Sequence, residues 1–88
     1  EPITLLLTSE PENVSGFSGC NRYFGKFATK KNKLSFKQMA CTLMACPQQD
    51  MNLEDRYLQL LDKVNSFTLQ NDTLMLLKDD KVLLIFEK

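Results

Sequence analysis

The chain contains no histidine, carries no net charge and has only three glycines among its 88 residues. Each shortage removes something. Without histidine, the Cys–His and Ser–His–Asp pairings that activate a nucleophile cannot be assembled. Zinc sites need Cys or His ligands in close pairs; Cys41 and Cys46 are five residues apart and lack partners, so no metal is expected. Eleven basic and eleven acidic residues cancel, which leaves no net electrostatic footprint for nucleic acid or an anionic membrane. The longest apolar run, Val82–Phe86, is strand length, far short of the roughly 20 residues a spanning helix takes.

The glycines all fall within Ser15–Phe27, "SGFSGCNRYFGKF". Their spacing does not match G-x-G-x-x-G, and no Lys–Ser pair follows as in a phosphate-binding loop. A glycine in a strand marks a bulge, a sharp bend or a close backbone approach. Gly16 and Gly19, flanking Phe17, are expected to turn a corner of a curled sheet, and Gly25, between Tyr23 and Phe27, to leave room for a neighbour.

A chain this short makes one domain and buries only about two thirds of its unfolded surface, so a covalent crosslink would help it. Cys20, Cys41 and Cys46 allow one disulfide and one leftover thiol. Ile3–Thr8 and Val14–Ser18 read as strands. Arg22–Thr29 puts Tyr23, Gly25 and Phe27 on one face, and after the polar turn "KKNK" the chain returns through Leu34 and Phe36. Pro47 to Val64 reads as the one helix, with a stripe of Leu53, Tyr57, Leu60, Leu61 and Val64 at helical period. Three strands close the chain, Phe67–Gln70, Thr73–Lys78 and Val82–Glu87, joined by Asn71-Asp72 and Asp79-Asp80 as a meander. The last two are apolar on both faces and are therefore expected to be covered on both.

The charged residues carry no obvious chemistry. Asp50, Glu54, Asp55 and Asp62 are expected on the solvated helix surface. Lys26, Lys30, Lys31, Lys33 and Lys37 make a basic hairpin, expected to be a solvated edge guarded against strand pairing. Met39, Met44, Met51 and Met75 are expected as adaptable core filler.

Two blocks then stand together: "SGFSGCNRYFGKF", and "FKQMACTLMAC" over Phe36–Cys46. "LEDRYLQLLDKV" and "LMLLKDDKVLLIFEK" follow in order. Over nearly the whole chain this arrangement resembles the META domain, the HslJ-like family of small bacterial envelope proteins. The family's G-C-N is met by Gly19-Cys20-Asn21, beside a strand bounded by Gly25. Its T-x-M-x-C is met by Thr42, Met44 and Cys46, and its acidic helix start by Glu54. Members usually carry a further N-terminal strand with a tryptophan. This chain has no tryptophan, so residues 1–88 are expected to form a single domain without that strand. Where the family more often has a small hydroxyl residue, this chain has Cys41.

The resemblance implies an α+β, mostly β fold: a curved antiparallel sheet forming a partly open barrel, with one packed α-helix. It implies a disulfide between Cys20 and Cys46 that leaves Cys41 free, with Gly19, Asn21, Gly25, Thr42 and Met44 in structural roles. It also implies export to the periplasm or outer membrane, often through a lipid anchor upstream of Glu1. The family is linked in general terms to heat shock, novobiocin resistance and, in a protozoan relative, virulence and secretion. It brings no catalytic residues and no cofactor. The expected function is a non-catalytic envelope module acting in stress tolerance or protein contact, with an unknown envelope protein as partner. The alternative is a carrier of a hydrophobic ligand or lipid tail in the mouth of the barrel.

Overall fold

The computed structural model describes residues 2–9 and 11–87. The chain runs β1 (Leu6–Thr8), β2 (Asn13–Phe17), β3 (Arg22–Lys30), β4 (Lys33–Cys41), α1 (Gln48–Lys63), β5 (Ser66–Gln70), β6 (Thr73–Lys78) and β7 (Lys81–Glu87). All seven strands lie in one antiparallel sheet in sequence order. No hydrogen bonding joins β1 to β7 among the described residues, so the sheet is curved and open.

The turns follow from residues that tolerate positive φ. Lys31, Asn71, Asp79 and Asp80 take φ of 57°, 57°, 50° and 69°, which suits hairpin turns and builds the expected meander. β4 runs past Phe36 to Cys41, with Tyr23 opposite Cys41. Between Phe24 and Lys26 the register shifts, so that Gln38, at φ 54°, and Met39 together face the single residue Gly25, a bulge of one extra residue on β4. Gly25 is what the bulge requires: a Cβ there would meet Met39 Cα at 3.1 Å and the Gln38 carbonyl at 3.2 Å.

One helix face and one sheet face share the core. Val14, Tyr23, Phe27, Leu34 and Leu76 from the strands meet Tyr57, Leu61 and Val64. Period-two alternation places these strand residues inward, while Phe24, between Tyr23 and Gly25, is half exposed. The stripe on α1 is rotated from the expected one. Leu53 is 49% exposed, while Glu54 lies buried in phase with Tyr57 and Leu61. Three or four residues separate each of these positions, so they stack on one face.

β7 is not covered on both faces, whereas on β6 the outward Met75 and Leu77 stay half-buried. Leu74 pairs with Phe86 and Leu76 with Leu84 toward the core, but Ile85 and Val82 are exposed on the other side. The helix has one sheet face to cover, and the open sheet brings no second wall against the outer one. Met44 and Met51 are likewise exposed rather than core filler; they sit on the loop before α1 and on its first turns, outside the core face. The lysines of the β3–β4 hairpin are all exposed.

Candidate functional site

The polar centre of the molecule is a carboxylate under a hairpin turn. β2 and β3 are joined through Ser18–Asn21, closed by the Ser18 N–H donating to the Asn21 carbonyl at 2.9 Å. Gly19 takes φ +120° there, a conformation that side-chain-bearing residues rarely adopt, with its α-carbon face against the Asp50 carbonyl and Glu54 backbone of α1. This close seating lowers the turn onto the helix. The Glu54 side chain, 6% exposed, then rises into it.

Glu54 Oε1 accepts from the Ser18 hydroxyl and from the Asn21 N–H, the latter at 2.6 Å. Its Oε2 accepts from Asn21 Nδ2 at 2.9 Å. Ser18 Oγ also lies 2.8 Å from the Asn21 carbonyl, but a hydroxyl has one proton and the carboxylate is the stronger acceptor. Burial works against the charge on Glu54. The Ser18 and Asn21 side chains and the Asn21 and Cys20 backbone donors more than offset it, so its carboxyl titrates below the ordinary glutamate value.

Asn21 carries the network outward. Its Oδ1 accepts from the Thr42 hydroxyl at 3.0 Å and from the Met44 N–H at 2.6 Å. Thr42 Oγ1 in turn accepts from the Arg22 N–H at 3.2 Å. The Thr42–Cys46 loop is thereby fixed to the β2–β3 turn at two points. A third is covalent: Cys20 and Cys46 stand at disulfide-bonding distance, with Cα atoms 6.0 Å apart. Cys41 is a free, half-buried thiol. No buried side-chain nitrogen or oxygen lacks a partner among the described residues.

A second polar pair lies deeper. Tyr23 donates its hydroxyl to the Thr4 carbonyl at 2.7 Å, which leaves Tyr57 as the donor in the 2.6 Å contact between the two hydroxyls. Burial pushes Tyr23 up to about 12, with smaller opposing effects from Tyr57 and Arg22. Burial and the bond to Tyr23 push Tyr57 up as well. Gly16 makes room for this arrangement, because a Cβ there would meet the Thr4 carbonyl carbon at 2.8 Å and Tyr23 at 3.0 Å.

The geometry therefore gathers Gly19, Cys20, Asn21, Thr42, Met44 and Cys46 around Glu54. Gly25 lies apart, at the β3–β4 bulge. The expectation that Glu54 is solvated is corrected: four donors compensate its desolvation, so a carboxylate can sit in the core. Ser18 and the tyrosine pair carried no warning in sequence. For Glu54 there was one, its phase with Tyr57, Leu61 and Val64 at i+3, i+7 and i+10.

Comparison with known proteins places this arrangement. A search of curated proteins returns no match. An NMR structure of a protein from Burkholderia xenovorans is 37% identical with a TM-score of 0.81, matching 98% of this chain but 63% of that one. The chain thus spans less than two thirds of that relative's length. A second NMR structure, at 24% identity and TM-score 0.61, covers 94% of this chain and 86% of its own and shares the fold. The META domain family model matches residues 1–88, end to end. The chain belongs to the META domain family.

Proposed function

We propose that this chain is a non-catalytic module of the cell envelope that acts through contact with another envelope protein, in tolerance of envelope stress. The observation that carries this reading is that the polar centre is closed upon itself. Both Glu54 oxygens are engaged by Ser18 and Asn21, and a carboxyl held below its ordinary value is a poor general acid or base near neutral pH. The site's chemistry is spent on holding a turn, a loop and a helix together.

The interior supports contact over carriage. Tyr23, Leu61, Leu76 and Val14 are fully buried and pack together where a lipid tail would have to lie. The crosslinked cysteines suit an oxidising compartment, and with the family they support export to the periplasm or an outer-membrane anchor. The test is in-cell crosslinking of an exported, tagged chain, with native mass spectrometry of the purified protein alongside. A discrete crosslinked envelope protein and a ligand-free mass are expected. A stoichiometric lipid with no protein adduct would overturn the contact reading in favour of the carrier.

A further inference from the structure

The sheet parts between β4 and β5. Only Lys33 and Ser66 pair across that boundary among the described residues, with flanking bonds from the Leu34 N–H to the Asn65 carbonyl and from the Phe67 N–H to the Asn32 carbonyl. Beyond Leu34, the side of β4 turned away from β3 has no strand partner among the described residues. Leu34 sends its N–H to that side, and alternation sends backbone groups further along β4 the same way. The flank of α1 stands beside this open edge.

Between them runs a groove. Along β4 it is lined by Met39, Cys41, Asp55, Leu58 and Asp62, with a volume of about 420 Å³. It continues past Cys41, Asp55 and Leu58 beneath Leu43, Met44 and Met51, a further stretch of about 410 Å³. Met39, Cys41 and Leu58 form a half-buried apolar floor. Leu43, 94% exposed, stands at the lip on a loop tied down by Asn21 and Cys20. The acidic side chains of the groove are Asp55, Asp62 and, beneath the loop, Glu54; no lysine or arginine lines either stretch.

We infer that this groove takes an extended peptide segment of another protein, apolar residues alternating with lysine or arginine, added to β4 as a strand. The inference rests on the contact reading above and names its site. An unpaired edge provides main-chain hydrogen bonds, and the floor provides pockets for alternate side chains. Asp55 and Asp62 lie seven residues apart on α1, about 10 Å at helical rise, between the roughly 7 Å and 13 Å that separate cations two and four residues apart on an alternating strand, a difference that long lysine or arginine side chains span. Both are exposed, so cations on the peptide reach them from solvent. An anionic lipid surface would be repelled by the same lip. The bulge at Gln38–Met39 bends the edge, which discourages pairing with a long flat edge such as a second copy's and suits a short peptide.

The probe is a fluorescein-labelled heptapeptide alternating valine and lysine, with a valine–glutamate heptapeptide as control. Binding is read by anisotropy and by amide shifts in ¹⁵N-labelled protein. The lysine peptide is expected to bind, to shift amides of Met39–Cys41 and Asp55–Asp62, and to weaken as salt rises. N-methylation at alternate peptide residues is expected to abolish binding in one of its two registers. Reversing the lip with Asp55→Lys and Asp62→Lys, both at exposed sites, should cost the lysine peptide about tenfold in affinity and transfer preference to the glutamate peptide.

Equal binding of the two peptides, shifts confined to other surfaces, or indifference to N-methylation in both registers overturns the inference. So does binding only to phosphatidylglycerol vesicles, or sedimentation of the parent as a dimer through this face. If the charge-reversed chain still crosslinks the parent's envelope partner, the groove assignment fails and the contact reading stands. If peptides bind as expected but the parent crosslinks no envelope protein, the contact reading fails instead.

Discussion

Replacing Glu54 tests the centre of the structure. In Glu54→Ala, the Ser18 hydroxyl, the Asn21 N–H and Asn21 Nδ2 lose their acceptor together. A buried donor left without a partner costs about 1–3 kcal/mol. Water entering the vacated space satisfies part of this, so a loss of about 3–5 kcal/mol is expected. A domain of this length has about 4–13 kcal/mol in all, so the variant sits near the edge of folding. Glu54→Gln is the sharper test. Its carbonyl keeps Ser18 and the Asn21 N–H, but its amide then faces the Asn21 amide, donor against donor. Flipping Asn21 moves the fault without removing it, because the Met44 N–H then meets a donor. About 2 kcal/mol should be lost at pH 7. The pH dependence carries the sign. Glu54 titrates below its ordinary 4.5 in the folded chain, so its stabilisation is present above that value and fades as pH falls through the folded value. Urea unfolding followed by circular dichroism from pH 7 downward should show a steeper acid loss for the parent than for Glu54→Gln. A cost below about 1 kcal/mol in both variants, or parallel acid profiles, would refute a buried, ionised Glu54.

Leu61, 1% exposed, should cost about 2–5 kcal/mol as Leu61→Ala, whereas Leu53→Ala, at a half-exposed position, should stay under about 1; equal costs in thermal denaturation would put the stripe back on the Leu53 side. Tyr23 and Tyr57 are the only tyrosines, so absorbance at 295 nm reads them alone. Raised folded values mean stability fully present below pH 10 and lost as pH climbs through about 12, so tyrosinate should appear together with the loss of helix signal, and smooth titration near pH 10 in a folded chain would contradict the buried pair. Alkylation of the non-reduced protein should label one cysteine, Cys41. Cys20→Ala with Cys46→Ala should cost about 3–4 kcal/mol for a 26-residue separation, and a peptide joining Cys41 to either partner would refute the pairing.

Much of the architecture was legible because it rests on local rules. Asn71-Asp72 and Asp79-Asp80 take up positive φ wherever the rest of the chain lies, so the meander follows from residues adjacent in sequence. Alternation in Arg22–Thr29 sorted Tyr23 and Phe27 from Phe24 and Lys26 without a partner strand in view. The order of "GCN", "TLMAC" and the helix was enough for the family resemblance. What depended on other segments was not legible. Periodicity left the helix free to rotate by one residue, and the donors of a turn 33 positions away settled it by compensating Glu54 where Leu53 would otherwise have turned inward. The cover over the outer face of β7 depended on whether the sheet closes, which no single strand encodes. The parting of β4 from β5 beyond the Lys33–Ser66 pair depended on where α1 packs beside the edge of β4, because a helix offers that edge no strand to pair with. Burial of a charge and exposure of an apolar face are properties of the neighbours, and only the folded chain supplies those.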